Sequence, residues 1–189
     1  MSKPETRKAV KRSGSIWGKA PRVRCAIITA VCRALQRVHG APRLGNPKQP
    51  VDDLVYVIIS NKTTPSMARL IYGRLRDRYK TWEDMLVSPI AELRSILKPA
   101  GLSTVKSRQI RGALRQIKRD FGKCDLRGLR QEHEAEIHEY LTGLPGVSDK
   151  VAKCVMMYTM RVHVLPVDAH LHRVATRLGW TGWTTSSTT

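Results

Sequence analysis

The chain has 189 residues, carries 34 Lys+Arg against 15 Asp+Glu for a formal net charge of +19, and is 41% apolar. That apolar content is enough for a core, which excludes a disordered basic protein, and no apolar run approaches the ~20 residues of a membrane span. The basic first residues lead into no apolar h-region, so no secretory signal is expected. The expectation is a folded intracellular protein with a polyanionic partner, nucleic acid ahead of an anionic membrane surface.

Residues 1–22 carry Lys3, Arg7, Lys8, Lys11, Arg12, Lys19 and Arg22 against Glu5 alone, with Ser, Gly and Pro interspersed. They read as a disordered basic arm, a solubilising tail or a non-specific DNA tether. From there to 180 apolar residues recur at three and four, which predicts an all-α core over 23–180. Ile27, Ile28, Val31, Leu35 and Val38 mark a first helix over 22–38, and a proline-rich loop follows at 41–50. The stretch 51–61 is apolar almost all round and fits a central helix or a strand; its helical neighbours favour the helix. Thr64 and Pro65 predict an N-cap and first turn of a helix to about Tyr79. Thr81 with Asp84 opens a short helix, and Ser88 with Pro89 opens another to about Leu97, stopped by Pro99 and Gly101.

The helix predicted over 103–121 pairs an apolar stripe (Ile110, Ala113, Leu114, Ile117, Phe121) with a basic one (Arg108, Arg111, Arg115, Lys118), and Gly122 ends it. One-signed stripes of this kind suit phosphate contact as well as plain solvation. The carboxylates of 120–139, from Asp120 to Glu139, predict a face turned away from DNA. Cys25, Cys32, Cys124 and Cys154 are too scattered for a disulfide framework. The Cys25/Cys32 spacing matches part of an iron–sulfur pattern, but no CxxC follows, and two core residues on one helical face is the favoured reading. The histidines form no two-plus-two pattern, so no metal site is predicted.

Residues 131–162 predict helix, tight turn and helix. The turn is Gly143-Leu144-Pro145-Gly146-Val147, and Ser148 caps the second helix. Two glycines around an apolar residue and a proline allow a sharp turn and a close approach to a ligand. The turn and the first amides of the second helix can face one phosphate, aided by the helix dipole. Leu144 and Val147 are expected to tuck inward. This is the helix-hairpin-helix pattern, a sequence-independent clamp on the DNA backbone. Lys150 lies in the first turn of the second helix, where the dipole disfavours a cation and favours the neutral, nucleophilic amine. Asp149 acts in the opposite sense. Asp168 opens the last predicted helix, Ala169 to Leu178, as a cap or as a carboxylate able to stabilise positive charge on a sugar.

Taken together, 141–180, with LPGVSDK, Pro-Val-Asp-Ala-His and Arg-Val-Ala-Thr-Arg-Leu, resembles the endonuclease III branch of the helix-hairpin-helix (HhH-GPD) DNA glycosylase superfamily. The resemblance implies an all-α fold of two helical lobes with a DNA cleft between them. It implies base-excision repair of damaged, oxidised pyrimidine bases in double-stranded DNA. Lys150 takes the place of the lysine that attacks C1′ of a flipped nucleotide, forms a Schiff base and cuts the strand by β-elimination at an abasic (AP) site. Asp168 takes the place of the aspartate that supports base departure. The hairpin residues Gly143 to Ser148 become DNA contacts, and Lys106 is placed with them on the basic helix. Two wedge positions fill the hole left by the flipped base. The polar one falls in Ser60-Asn61-Lys62-Thr63-Thr64, with Lys62 where the family has glutamine and Asn61 beside it. The apolar one falls at Leu102, which fits a core position equally well. The family's [4Fe–4S] cluster is expected in full-length relatives and not in this chain, which has no cysteine after Cys154. An incomplete second lobe, exposed apolar surface, a disordered tail at 181–189, a monomeric state and a cytoplasmic, DNA-associated location (nuclear in a eukaryote) complete the expectations. A non-catalytic DNA-binding module and a monofunctional glycosylase for mismatched or alkylated bases are the alternatives.

Overall fold

A computed structural model describes residues 21–41 and 45–180. The arm as far as residue 20 and the tail 181–189 lie outside the described residues. Every described element is helical: α1 (Pro21–His39), α2 (Pro50–Ser60), α3 (Pro65–Arg78), α4 (Trp82–Val87), α5 (Ile90–Leu97), α6 (Ser103–Phe121), α7 (Glu134–Thr142), α8 (Asp149–Thr159) and α9 (Ala169–Arg177). Short 3-10 turns lie at Lys98–Ala100 and Arg127–Gln131. The chain divides into two compact units, one of residues 45–166 and one of α1 with the segment from 167 onward.

The larger unit is built around α2. Proline at its first position and Asp52 and Asp53 in its first turn favour helix initiation. Nine of its residues, Pro50, Val51, Asp53 and Leu54 to Ile59, are buried. A helix that is apolar all round needs neighbours on every side, and α3, α6 and α8 pack against it. The core continues through Ile71, Leu75, Leu93, Leu97, Ile110, Leu114, Ile117, Leu141 and Val155, all inaccessible to solvent. Thr64 caps α3 by accepting from the Met67 amide (3.4 Å). Thr81 and Asp84 form the reciprocal box that opens α4.

Ser88 departs from expectation. It closes α4 instead of opening α5, whose N-cap is Pro89. Its hydroxyl donates to the Met85 carbonyl at 2.9 Å, serving a helix C-terminus. The proline that follows already holds the φ that α5 needs, so no side-chain cap is required there. Phe121 is a second departure: it lies at the rim, more than a third exposed, edge-on to Tyr140 at 5.2 Å.

The smaller unit contains α1 and α9. Helix α1 begins at Pro21, so the last two residues expected in the arm are helical. None of the unit's described side chains is buried. Cys25 and Cys32, expected as core residues on one face, are therefore both exposed. Their spacing does put them on one side of α1, but that side meets no core among the described residues.

Candidate DNA-binding and catalytic site

Helices α7 and α8 form a hairpin whose turn is held from inside. The Leu144 amide donates to Leu141 (3.1 Å) and the Val147 amide to Leu144 (3.1 Å). Leu144 and Val147 are buried, as is Ala152 where α8 passes beneath. Gly146 takes φ +76°, a conformation open to glycine and strained for other residues. Ser148 caps α8 by accepting from the Val151 amide at 3.4 Å. That leaves the Asp149 and Lys150 amides at the open end of α8, where an anion is favoured.

The hairpin turn also rests on α6. A Cβ on Gly146 would lie 2.3 Å from Gln109 Cγ and 2.7 Å from Gln109 Cβ, and one on Gly112 would lie 3.0 Å from Pro145 Cβ. Neither Gln109 nor Gly112 was singled out by sequence. The available sign was a glycine in mid-helix, which costs about 1 kcal/mol against alanine and so points to a close approach.

Lys150 is half-buried in the first turn of α8. Among the described residues its side chain has no hydrogen-bond or ion-pair partner. The carboxylate of Asp149 is engaged elsewhere: Lys153 Nζ lies 3.0 Å and His138 Nε2 2.8 Å from its Oδ1. These contacts, Lys153 above all, hold the Asp149 carboxyl below its ordinary range. The carboxylate beside Lys150 thus has two partners of its own. Asp168 belongs to the smaller unit. It is exposed and caps α9, its Oδ1 accepting from the His170 (3.0 Å) and Leu171 (2.9 Å) amides.

The expected wedge positions share a backbone peculiarity. Lys62, with φ +53°, and Leu102, with φ +51°, are left-handed although neither is glycine. Such residues cost on the order of 1–3 kcal/mol each and persist where the surroundings over-determine them. Lys62 is exposed, Asn61 half-buried, and Leu102 is 54% exposed, so Leu102 is no core residue.

Two basic side chains of α6 are not surface cations. Lys106 is only 2% exposed. Its ammonium donates to the Ile59 carbonyl (2.8 Å), Thr63 Oγ1 (2.7 Å) and the Ala100 carbonyl (3.1 Å). All three donors are used inside the protein, which corrects its assignment as a phosphate contact. Arg111 is buried too, donating to the carbonyls of Met85, Leu86 and Ser88 at the end of α4. The exposed basic stripe is therefore Arg108, Arg115 and Lys118.

Among the described residues no group of three or more His, Cys, Asp or Glu side chains could hold a metal ion. Cys154 is buried within α8, and Cys124 is half-buried with its amide on Glu83 Oε1 (2.6 Å). These two cysteines do not fit an iron–sulfur cluster, which needs several thiolates converging on one point.

Comparison with known proteins places this arrangement. Residues 55–189 match the family model described as "HhH-GPD superfamily base excision DNA repair protein". Endonuclease III of Bacillus subtilis is 31% identical over 134 residues, which cover 71% of this chain and 57% of that protein. A DNA glycosylase-named protein of Arabidopsis thaliana is 28% identical over 130 residues, 69% of this chain and 44% of its own length. The chain thus spans roughly half the length of these curated relatives. A solved structure of a trapped endonuclease III–DNA covalent intermediate superposes with a TM-score of 0.71 at 26% identity, over 86% of this chain and 72% of that one. With the capped hairpin and its lysine in place, the chain belongs to the HhH-GPD superfamily of base excision DNA repair proteins.

Proposed function

We propose that the protein is a DNA glycosylase with abasic-site lyase activity, acting in double-stranded DNA on a damaged base, an oxidised pyrimidine in the first instance. The observation that carries the reading is Lys150: a half-buried amine in the open first turn of a hairpin clamp, with its acidic neighbour occupied by His138 and Lys153. The turn 143–148 and the free amides of α8 bind the backbone without reading sequence. Arg108, Arg115 and Lys118 add phosphate contacts, and Lys62 and Leu102 enter the stack. Extrusion of the nucleotide is required because C1′ is shielded inside the duplex.

The neutral Lys150 amine then attacks C1′ as the glycosidic bond breaks and the base leaves with its electron pair and a proton. Asp168 supports the positive charge that develops on the sugar. The new ammonium gives up one proton, the C1′–O4′ bond breaks with its electron pair going to O4′, which takes a proton from water, and C1′ is left joined to the nitrogen as a protonated Schiff base. Removal of a C2′ proton expels the 3′ phosphate, cutting the strand by β-elimination. In this reading the core 23–180 acts as a monomer on DNA in the cytoplasm, or in the nucleus of a eukaryote.

Borohydride reduces a Schiff base to a stable amine, so the wild-type chain is expected to form a covalent adduct with abasic-site duplex DNA. Lys150→Ala is expected to abolish it with folding and salt-sensitive duplex binding retained. Binding without any adduct from folded wild-type protein overturns the lyase chemistry and leaves a DNA-binding module; base release without strand cleavage marks a monofunctional glycosylase.

A further inference from the structure

Lys106 Nζ sits where two loops meet. One loop leaves the C-terminus of α2 at residues 61–64; the other runs from the 3-10 turn into α6 at 100–102. The ammonium takes the Ile59 carbonyl at the end of α2, Thr63 Oγ1 in the first loop and the Ala100 carbonyl in the second. Thr63 Oγ1 also lies 2.9 Å from the Ala100 carbonyl, closing a small ring of bonds between the loops. Both carbonyls end helical segments, where such groups lack intrahelical donors and carry partial negative charge. Each loop carries one left-handed, non-glycine residue, Lys62 in the first and Leu102 in the second, and both point at solvent. Strained backbone of this kind survives only where its surroundings hold it. Lys106 and Thr63 link the two loops directly.

We propose that Lys106 is a positioning residue: its buried ammonium locks the loops at 61–64 and 100–102 into one rigid edge that presents Lys62 and Leu102 together to a base pair. The inference rests on the glycosylase reading, since the edge needs a duplex to enter. A single edge has a physical advantage over two independent loops. Both side chains enter the stack in one event, and neither loop has to be ordered on binding.

The test uses the full chain with Lys106→Met, which keeps the apolar stem and removes the donors, and Thr63→Val, which cuts the same ring from the other side. In the free protein, amide exchange in 61–64 and 100–103 is expected to rise at least tenfold in both variants, with α2 and α8 unchanged. The second readout needs no chemistry: a duplex with 2-aminopurine opposite a tetrahydrofuran abasic analogue, whose fluorescence rises when the base unstacks. Wild-type protein is expected to brighten it, and both variants at least tenfold less at saturation, with affinity for the duplex kept within about threefold. Unchanged exchange in either loop overturns the proposal, and so does undiminished brightening by the variants. Brightening by wild type with no borohydride adduct sinks the lyase reading and leaves the rigid edge standing. A wild-type chain that does not brighten the duplex overturns the edge itself.

Discussion

Gly146 shows how much a single missing atom settles in this site. Its φ of +76° and the seating of Gln109, whose Cγ a Cβ there would meet at 2.3 Å, both depend on the absence of a Cβ. Gly146→Ala is expected to destabilise the fold by about 1–3 kcal/mol and to weaken duplex binding through a displaced turn. Gln109→Ala in the same chain removes Cγ and Cδ but leaves the 109 Cβ 2.7 Å from the new methyl and the backbone strain in place, so recovery is expected to be partial. Denaturant midpoints and duplex titrations of the two single variants and the double variant check this; full recovery would mean that the φ matters little. Gly146 was legible in sequence because residue type alone announces a left-handed turn position, whereas Gly143, at φ −72°, adopts a conformation open to any residue. Gln109 was not, because its contact joins residues 37 apart through a helix packing that no local pattern encodes.

At the scale of the element, α6 does three things along one helix. Its N-terminal turn carries Leu102 and anchors Lys106, its middle supports the hairpin through Gln109 and Gly112, and its exposed face presents Arg108, Arg115 and Lys118. The 3.6-residue period located the helix and its apolar stripe. The same period put Lys106 four residues before Ile110 and seven before Ala113, on the core face, so its burial could have been read by extending the stripe one turn back. Arg111 lies at the edge of that face and reaches the carbonyls of Met85, Leu86 and Ser88. Arg111→Met is accordingly expected to cost about 1–3 kcal/mol of stability, as carbonyls at the end of α4 lose a charged donor, with the salt dependence of DNA binding unchanged. Arg115→Gln is expected to do the reverse, lowering the slope of log K against log salt by about 1 and leaving stability within ~0.5 kcal/mol. Thermal unfolding beside binding at several salt concentrations separates the two; a salt slope altered by Arg111→Met would return that residue to the DNA surface.

Across the whole molecule, stability is concentrated in residues 45–166, and one buried acid there links it to pH. Asp53 is fully buried on α2; Asn46 Nδ2 donates to its Oδ1 at 2.6 Å, and its Oδ2 has no partner among the described residues. Burial pushes this carboxyl up to about 7, from an ordinary value near ~4. Between those values the folded chain holds a proton that the unfolded chain releases. The group's penalty is therefore absent in acid and grows as pH rises toward neutrality. Asp53→Asn is expected to raise the melting temperature at pH 8 and change it little at pH 4, read by calorimetry across that range; an equal shift at both pH values would refute the linkage. Composition, the 3.6-residue period, the caps at Thr64, Thr81 and Ser148 and the hairpin run 143–148 were enough to determine the helical fold of the described residues and a helix-hairpin-helix turn with a lysine in the first turn of its second helix. Each of these depends on residues close together in sequence, whose geometry local torsions and helix-end hydrogen bonding dictate. Only the tertiary structure decided which carbonyls hold Lys106 and Arg111, that Gln109 fills the space left by Gly146, and that His138 of α7 joins the helix-internal Lys153 on Asp149. Those outcomes depend on which carbonyls and carboxylates distant segments bring within hydrogen-bond reach, and a cation's preference between water and a buried acceptor is set by that encounter rather than by its own residue type.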